Sequence, residues 1–466
     1  MLVPGTGQLS TGRRRRGLVL LGVFAALTVA VTAATVVRPL GVVTGLGDAR
    51  FVAAVLAADA LLLAFRLFAV VDAWGWPRSR VSLPAATVLG VLVALTAAPH
   101  VAAGYLALRG HDVLDAVFAD DEPRDVLPSR GVFLAEPPPR VEGRERPPTS
   151  QSPVARVPSD PIAGARDVVS GSRRLQRPWV TILLLGTDEG PGNWGARTDT
   201  IIVAALERGT HRGVALGVPR NWVRARLGGA AGAELPRFQE PLNALYGFAR
   251  SRPELFPGGD DPGATALKQT VSRLLGLRID YYALVNLDGF RDVVDALGGV
   301  DIDVKERLVD EVTRPAWGET KPRIDVRPGR TYHFDGRTAL AYVRSRKASN
   351  DYTRMTRQRC FLSAMADQLN VLDVLRHFHT LSATVKDSVR TDIPLSRVPD
   401  LVRLASGLEA RETLTATFGL PYIAGRRKAD RFPFPNLAKV RATVRRAILV
   451  GRERADADLH LAAKAC

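Results

Sequence analysis

The chain runs to 466 residues, more than one ordinary domain, and carries a formal net charge of +17. That basicity would suit nucleic acid, but three long apolar runs in the first quarter place the rest of the chain outside a membrane and exclude DNA as a partner. A basic outer face meets anionic lipid head groups or anionic wall polymers instead.

In chain order, the runs Leu18–Val37, Val52–Val71 and Leu83–Leu106 each hold the ~20 apolar residues that cross a bilayer as a helix. The first is too long for a cleaved signal, lacks a clear small-residue cleavage site, and is followed by two more spans. Arg13–Arg16 precede it, Arg78 and Arg80 lie between the second and third spans, and the Arg38–Arg50 loop is less basic. The positive-inside rule therefore puts the N-terminus in the cytoplasm and everything after Leu106 outside. Asp59 and Arg66 sit seven apart in the second span, two helical turns along one face. They are expected to pair with neighbouring helices or to snorkel, not to carry function.

The expected organisation is a basic cytoplasmic stretch over 1–16, an anchor of three membrane helices over 17–107, a proline-rich linker over 108–176, and an extracellular domain over 177–466. The linker holds Pro137–Pro139, Pro147, Pro148 and Pro153 among Arg, Glu and Ser, a composition that reads as an extended tether. Order returns at Trp179. WVTILLLG reads as a buried strand, and Asp199–Leu206 and Gly213–Pro219 as a hairpin. Ala264–Leu275 reads as helix, Tyr282–Leu287 as strand, Gly289–Leu297 as helix, Val300–Val304 as strand, and Arg354–Leu369 and Leu437–Leu449 as helices. Mixed strands and helices predict an α/β domain with a central mixed sheet flanked by helices.

The polar residues at the strand ends carry the chemistry. Asp188 follows the first strand and Asp199 opens the second, with Arg197 two before it. A loop bearing Gly190, Gly192 and Gly195 joins them, so the two carboxylates are expected to meet at one sheet edge. Two carboxylates among arginines suit a divalent cation; Mg²⁺ takes one or two carboxylates plus phosphate oxygens. The next strand ends in VPRN and brings Arg220 to the same edge. Singly, Asp188 reads as a turn residue, Asp199 as a hairpin cap and Arg220 as a surface charge; together they read as a site.

The stretch Tyr342–Gln358, YVRSRKASNDYTRMTRQ, adds the other half. Arg344 and Arg346 are two apart, which puts both on one face of an extended segment. Asn350 or Asp351 is placed to cap a helix beginning near Tyr352. Arg354 and Gln358 then share a face with Phe361, Met365 and Leu369, the core-facing stripe. Inward arginines at a helix N-terminus need a buried anion, and phosphate suits their planar donor forks. Pairing with surface carboxylates is the plainer alternative. Cys360 and Cys466 are expected to form one disulfide in an oxidising exterior.

Residues from about Trp179 to Leu369 resemble the LytR–CpsA–Psr family of cell-wall glycopolymer transferases. The resemblance rests on ILLLGTD, RTDTIIV, VPRN, NALY at Asn243–Tyr246, DALGGVDIDV at Asp295–Val304, FDGRTALAYVRSR at Phe334–Arg346 and DYTRMTRQ at Asp351–Gln358. It implies an exported α/β domain that binds a polyprenyl-pyrophosphate-linked glycan, with the lipid tail in an apolar pocket between sheet and helices. It implies Mg²⁺-assisted (or Mn²⁺-assisted) transfer of the glycan phosphate to a peptidoglycan hydroxyl, C6 of N-acetylmuramic acid, with release of polyprenyl phosphate. It gives metal roles to Asp188 and Asp199, and pyrophosphate contacts to Arg220, Arg344, Arg346 and Arg354. Gln358 becomes the pocket glutamine, with Arg197, Asp351 and Arg357 as further substrate-binding candidates.

Two departures from the family pattern stand out. Asn221 occupies a position where Asp is common, and Glu189 one where Arg is common; Glu189 is expected to face solvent. Two other readings use the same site: pyrophosphate hydrolysis, and a membrane-tethered non-catalytic binder or attenuator-type regulator. A binder needs the arginines but not the Asp188–Asp199 pair.

Overall fold

The computed structural model describes residues 3–37, 39–74, 83–118, 179–189, 196–210, 212–311, 323–345, 351–368, 388–408, 413–449 and 459–461. It divides into two compact units. The first carries helices α1 (Arg14–Val37), α2 (Ala49–Trp74) and α3 (Leu83–Val117), all long and apolar enough to cross a membrane. Leu18, Val19, Leu61, Phe68 and Val101 stand exposed on them, as side chains facing lipid would be. α3 continues to Val117, past the expected end of the span and into the stretch whose composition reads as tether. The rest of that tether, and Arg78 and Arg80, lie outside the described residues. Between α1 and α2, where the sequence predicts a loop, residues Pro39–Gly45 form a short helix.

The charges inside the spans find partners, as the plainer reading expects. Asp59 Oδ1 lies 2.7 Å from His100 Nδ1, and Arg66 Nη1 lies 3.2 Å from His100 Nε2. A guanidinium donates and cannot accept. His100 therefore accepts at Nε2 and carries its proton on Nδ1, which donates to Asp59. The set runs carboxylate, neutral imidazole, guanidinium, and joins α2 to α3.

The second unit is built on a mixed sheet whose strands are β1 (Trp179–Thr187), β2 (Thr198–Glu207), β3 (Gly213–Gly217), β6 (Tyr281–Val285), β11 (Val389–Thr391), β12 (Thr413–Thr417) and β15 (His460–Leu461). Their order is β11–β6–β1–β2–β3–β12–β15. β1, β2 and β3 are antiparallel neighbours, while β1 with β6 and β3 with β12 run parallel. Short pairs lie off this sheet: β4 (Ala225–Arg226) with β5 (Arg237–Phe238), β7 (Val300–Val304) with β10 (Arg330–Phe334), β8 (Leu308–Glu311) with β9 (Arg323–Val326), and β13 (Ile423–Arg426) with β14 (Pro433–Pro435).

β1 is apolar on both faces because both are covered. Leu183 and Leu185 are buried in a core shared with α4 (Pro262–Leu275) and α8 (Leu437–Leu449), around Trp222, Tyr246, Leu267 and Phe418. α4 starts where Asp261 accepts from Ala264 N at 3.0 Å with Pro262 in its first turn, and stops at Gly276 in the left-handed region. Leu184 and Gly186 turn to the opposite face. There lie α5 (Leu287–Ala296), α6 (Gly336–Arg344) and α7 (Asp351–Gln368), with a second core around Val294, Val300, Phe334 and Phe361. Leu287, read from sequence as the end of a strand, opens α5 instead, because Asn286 caps it by accepting from Gly289 N at 2.8 Å. The second core does not close onto the sheet. It leaves a cavity of about 700 Å³ lined by Leu184, Ala283, Val285, Phe290, Phe361 and Met365.

Candidate active site

One end of this cavity is polar. Asp188, Arg197, Asp199, Arg220, Arg344, Arg354 and Gln358 all border it. They come from the end of β1, the start of β2, the loop after β3, the end of α6 and the first turns of α7. Neighbouring strand ends and one helix N-terminus thus deliver charge to one place, as their sequence positions predict.

The β1–β2 connection is pinned by its own backbone. The register shifts after Gly186, Asp188 N donates to Arg197 O at 3.1 Å, and Asp188 Oδ1 accepts from Arg197 N at 2.7 Å. Gly186 lies opposite Thr200, whose Cβ would be 3.0 Å from any Cβ placed there, so a side chain at this close approach would have to push the Thr200 side chain aside. Burial pushes the Asp188 carboxyl above the usual carboxylate range; the Arg197 N–H opposes this, and the negative Asp199 adds to it. The two carboxylates therefore lie close enough to sense one another.

Asp199, Arg220, Asp351 and Arg354 form a ring of alternating charge. Arg220 donates from Nη1 to Asp199 Oδ1, from Nε to Asp351 Oδ2 at 3.2 Å, and from Nη2 to Asp351 Oδ1 at 3.3 Å. Arg354 Nη2 lies 3.0 Å from Asp351 Oδ1 and donates to the Asp199 carbonyl at 3.4 Å. Burial works against the charge on Arg220, but the Asp199 and Asp351 carboxylates outweigh it and hold its pKa above the ordinary value. Asp351, expected near the helix start, opens α7 and serves the ring; Asn350 lies outside the described residues.

Two expectations about the arginines change. Arg344 is the last residue of α6, not part of an extended segment, because the helix begun at Asp335, whose side chain accepts from Thr338 N, runs on to its C-terminal turn. Arg346 lies outside the described residues. Arg357 does not border the cavity: its Nη2 donates to Ser345 O just past the end of α6, and burial lowers its pKa. It holds the C-terminus of a helix, where a cation and a donor are both favourable. Gln358 lines the cavity as expected and also donates to Val343 O at 3.3 Å.

Glu189 does not simply face solvent. It accepts from Arg250 Nη1 at 2.5 Å and lies 4.0 Å from Arg390, so the acid that replaces an arginine here brings two arginines to itself. Asn221 is half-buried, and its Oδ1 has no hydrogen-bond partner among the described residues. Cys360 is buried on α7 and disulfide-bonded; Cys466, the chain's other cysteine, lies outside the described residues.

Two residues, Asn243 and Asp310, join the site without a role predicted from sequence, and a third, Arg359, is buried outside the cavity lining. Asn243, in the NALY run, donates from Nδ2 to Asp199 Oδ1 at 3.3 Å and so shares that oxygen with Arg220. Asp310 borders the cavity and accepts from Ser345 Oγ at 2.5 Å. Arg359 is buried in α7 beside Gly217, where burial brings its pKa down to about 10. Only the NALY run gives a sequence signal, and it carries no role.

Asp188 and Asp199 are the residues that could hold a divalent cation. No cluster of three or more His, Cys, Asp and Glu suited to a metal occurs among the described residues. A cation here would need oxygens from water or substrate to fill its shell. That donor set fits Mg²⁺, which is commonly held by one or two carboxylates with phosphate oxygens completing the coordination.

The chain is 29% identical over 271 residues to the polyisoprenyl-teichoic acid–peptidoglycan teichoic acid transferase TagV of Bacillus subtilis, covering 57% of this chain and 63% of that protein. It is 25% identical over 241 residues to biofilm regulatory protein A of Streptococcus mutans, covering 50% of this chain and 55% of that one. The chain thus spans less than two thirds of these relatives. The crystal structure of B. subtilis TagV superposes with a TM-score of 0.43 at 26% identity, over 58% of this chain and 98% of that one. The family model described as LytR_cpsA_psr matches residues 158–421, more than half of the chain, which therefore belongs to that family.

Proposed function

We propose that this protein transfers a glycopolymer phosphate from a polyprenyl-pyrophosphate-linked precursor to a peptidoglycan hydroxyl. One observation carries the reading: an apolar cavity of about 700 Å³ opens onto a cluster of arginines and carboxylates. A ligand that fits both ends is an amphiphile with an apolar tail and a phosphate head. The similarity to the B. subtilis polyisoprenyl-teichoic acid–peptidoglycan teichoic acid transferase supports the same choice.

The residues divide the work. Leu184, Ala283, Val285, Phe290 and Met365 would take the tail, and burying a prenyl chain against them contributes about 25 cal/mol per Å² of apolar surface removed from water. Arg344, Arg354 and Arg220 would orient the pyrophosphate and offset its repulsion of an incoming oxygen. When bound between Asp188 and Asp199, Mg²⁺ (or Mn²⁺) would supply further neutralisation of the diphosphate charge. The acceptor oxygen, taken as O6 of N-acetylmuramic acid, would attack the phosphorus next to the glycan. The bond from that phosphorus to the bridging oxygen breaks, polyprenyl phosphate leaves, and the hydroxyl proton passes to a carboxylate of the Asp188–Asp199 pair. Phosphoryl transfer depends mainly on positioning and charge neutralisation, and this site offers both.

On this reading the three long helices anchor the protein in the cell membrane, with the N-terminus cytoplasmic and the sheet unit outside. The partners are the lipid-linked glycan, peptidoglycan and the membrane, and no nucleic acid. The test is mass spectrometry of lipid co-purifying with the detergent-extracted protein, together with transfer assays with and without EDTA. A polyprenyl phosphate or diphosphate and EDTA-sensitive transfer are expected. Ordinary phospholipid alone, with no transfer from any lipid-linked glycan, would leave a binding or regulatory protein as the better account.

A further inference from the structure

We propose that the two short hairpins beyond Arg220 form a docking surface for a polyanionic chain, one bearing repeated phosphate or carboxylate groups. The hairpins β4–β5 and β13–β14 are joined to each other. Val223 N donates to Pro433 O at 3.0 Å, Arg427 Nη1 donates to Gln239 O at 2.6 Å, and the Arg224 guanidinium sits 4.7 Å from the centre of the Phe434 ring. Together they present one outer face.

Three observations set this face apart from an ordinary solvated surface. The first is register. Arg226 lies directly opposite Arg237, and both are exposed because their neighbours Ala225 and Phe238 take the buried positions. Like charges directly opposite on paired strands destabilise the pair. The second is backbone strain. Among the described residues, the non-glycine positions with positive φ are Arg224 (61°) and Arg431 (64°), one on each hairpin. The left-handed region disfavours any residue with a Cβ, and such strain collects where function requires a particular side chain.

The third observation is charge balance. Arg224, Arg226, Arg237, Arg426, Lys428 and Arg431 are all exposed, and none makes an ion pair among the described residues. The acids nearby are fewer: Asp430 pairs with Arg427, which also feels Glu240, and Glu234 pairs with Arg252 at 3.5 Å. The two opposed arginines cost the free protein stability, which a bound polyanion would return by answering their charge. Arginine forks suit phosphate and carboxylate oxygens in particular.

The face begins at the rim of the site. Asn221 to Val223 lead from Arg220 directly into it. The charge of Arg426 reaches Tyr352, the neighbour of Asp351, and the Tyr352 ring packs at Gly419, where an added Cβ would lie 3.0 Å from it. Cations spread over two hairpins fit an extended chain better than a single phosphate. A lipid surface is the less favoured partner, because stable docking there usually adds apolar side chains that insert to the charge attraction. Among the described residues of the sheet unit the large exposed apolar ones are Val309, Leu420 and Leu449, of which Leu420 is nearest in sequence to the hairpins, and single exposed apolar residues are ordinary. The purpose of the surface, holding the polymer part of the donor, rests on the transfer reading; its test does not.

The test is fluorescence anisotropy of a labelled poly(glycerol phosphate) oligomer, and separately of a labelled polyuronate, with the full chain in detergent. Saturable binding to at least one is expected, weakening steeply with salt as screening grows. Arg226→Gln/Arg237→Gln is expected to weaken it about tenfold or more, with the salt slope reduced by about one for each anionic group no longer neutralised. Arg224→Gly/Arg431→Gly is expected to weaken binding while leaving the melting temperature equal or higher, which separates binding from folding. Arg220→Ala is expected to lose transfer but keep polymer binding. Wild-type binding with no transfer activity would support the surface while sinking the transfer reading alone. The surface is overturned if both double variants bind the oligomers as wild type does, or if neutral dextran of equal length binds equally well. It is overturned too if phosphatidylglycerol vesicles occupy the face and neither oligomer displaces them.

Discussion

The polar set in the spans and the polar ring at the cavity use the same ingredients to different ends. Asp59, His100 and Arg66 form a line in which the imidazole accepts from the guanidinium and donates to the carboxylate, and His100 is only 6% exposed. Asp199, Arg220, Asp351 and Arg354 also satisfy one another, yet Asp199 keeps about a third of its side-chain surface and Asp351 about a quarter. Around the ring stand Asp188, held above the usual carboxylate range by burial, and Arg344 on the cavity wall. The comparison teaches that pairing alone does not separate a structural network from a functional one. What separates them is whether a partner can reach the network.

Removing groups should break the two sets differently. Asp199→Ala or Arg220→Ala is expected to lower transfer to peptidoglycan at least about a hundredfold, the scale seen when one charged stabiliser of a transition state is lost, with little change in melting temperature. Unchanged transfer by Asp199→Ala, with or without EDTA, would remove the metal assignment. Next in size, Phe361→Ala should cost about 3–5 kcal/mol, because this fully buried ring ties the second core to the cavity wall; denaturant unfolding checks it. His100→Ala should cost about 1 kcal/mol, read as a lower melting temperature in detergent with transfer kept at lower temperature. If it abolished transfer in a folded protein, the line in the spans would not be merely structural. Arg357→Ala is expected to cost a comparable amount, about 1–2 kcal/mol of stability, from the loss of a charged hydrogen bond to the end of α6, with only a few-fold loss of transfer.

Much of this is legible in the order of residues. Apolar runs of span length announce α1, α2 and α3, because a bilayer leaves few other ways to bury twenty such residues. Strand ends announce Asp188, Asp199 and Arg220, and helical spacing places Arg354, Gln358, Phe361 and Met365 on one wall. Asn243 stays silent because a lone amide in a single 3-10 turn has no periodicity to betray which carboxylate it will meet. Arg357 misleads for a related reason. It sits one residue before Gln358, and only the position of the end of α6 decides that its guanidinium goes to a carbonyl and not to the cavity. Glu189 reads toward solvent because Arg250 and Arg390 are distant in sequence.

By itself, then, the sequence determined which segments are apolar enough to span or to pack, and which charged residues end neighbouring strands. Both are properties of short stretches and their periodicity. The tertiary structure decided which charges meet. The Asp199–Arg220–Asp351–Arg354 ring joins residues up to 155 apart, and the face of β4–β5 and β13–β14 joins Arg427 to Gln239 across 188. Electrostatic partnership depends on distance in space and on the dielectric around it, and neither quantity is written in local spacing.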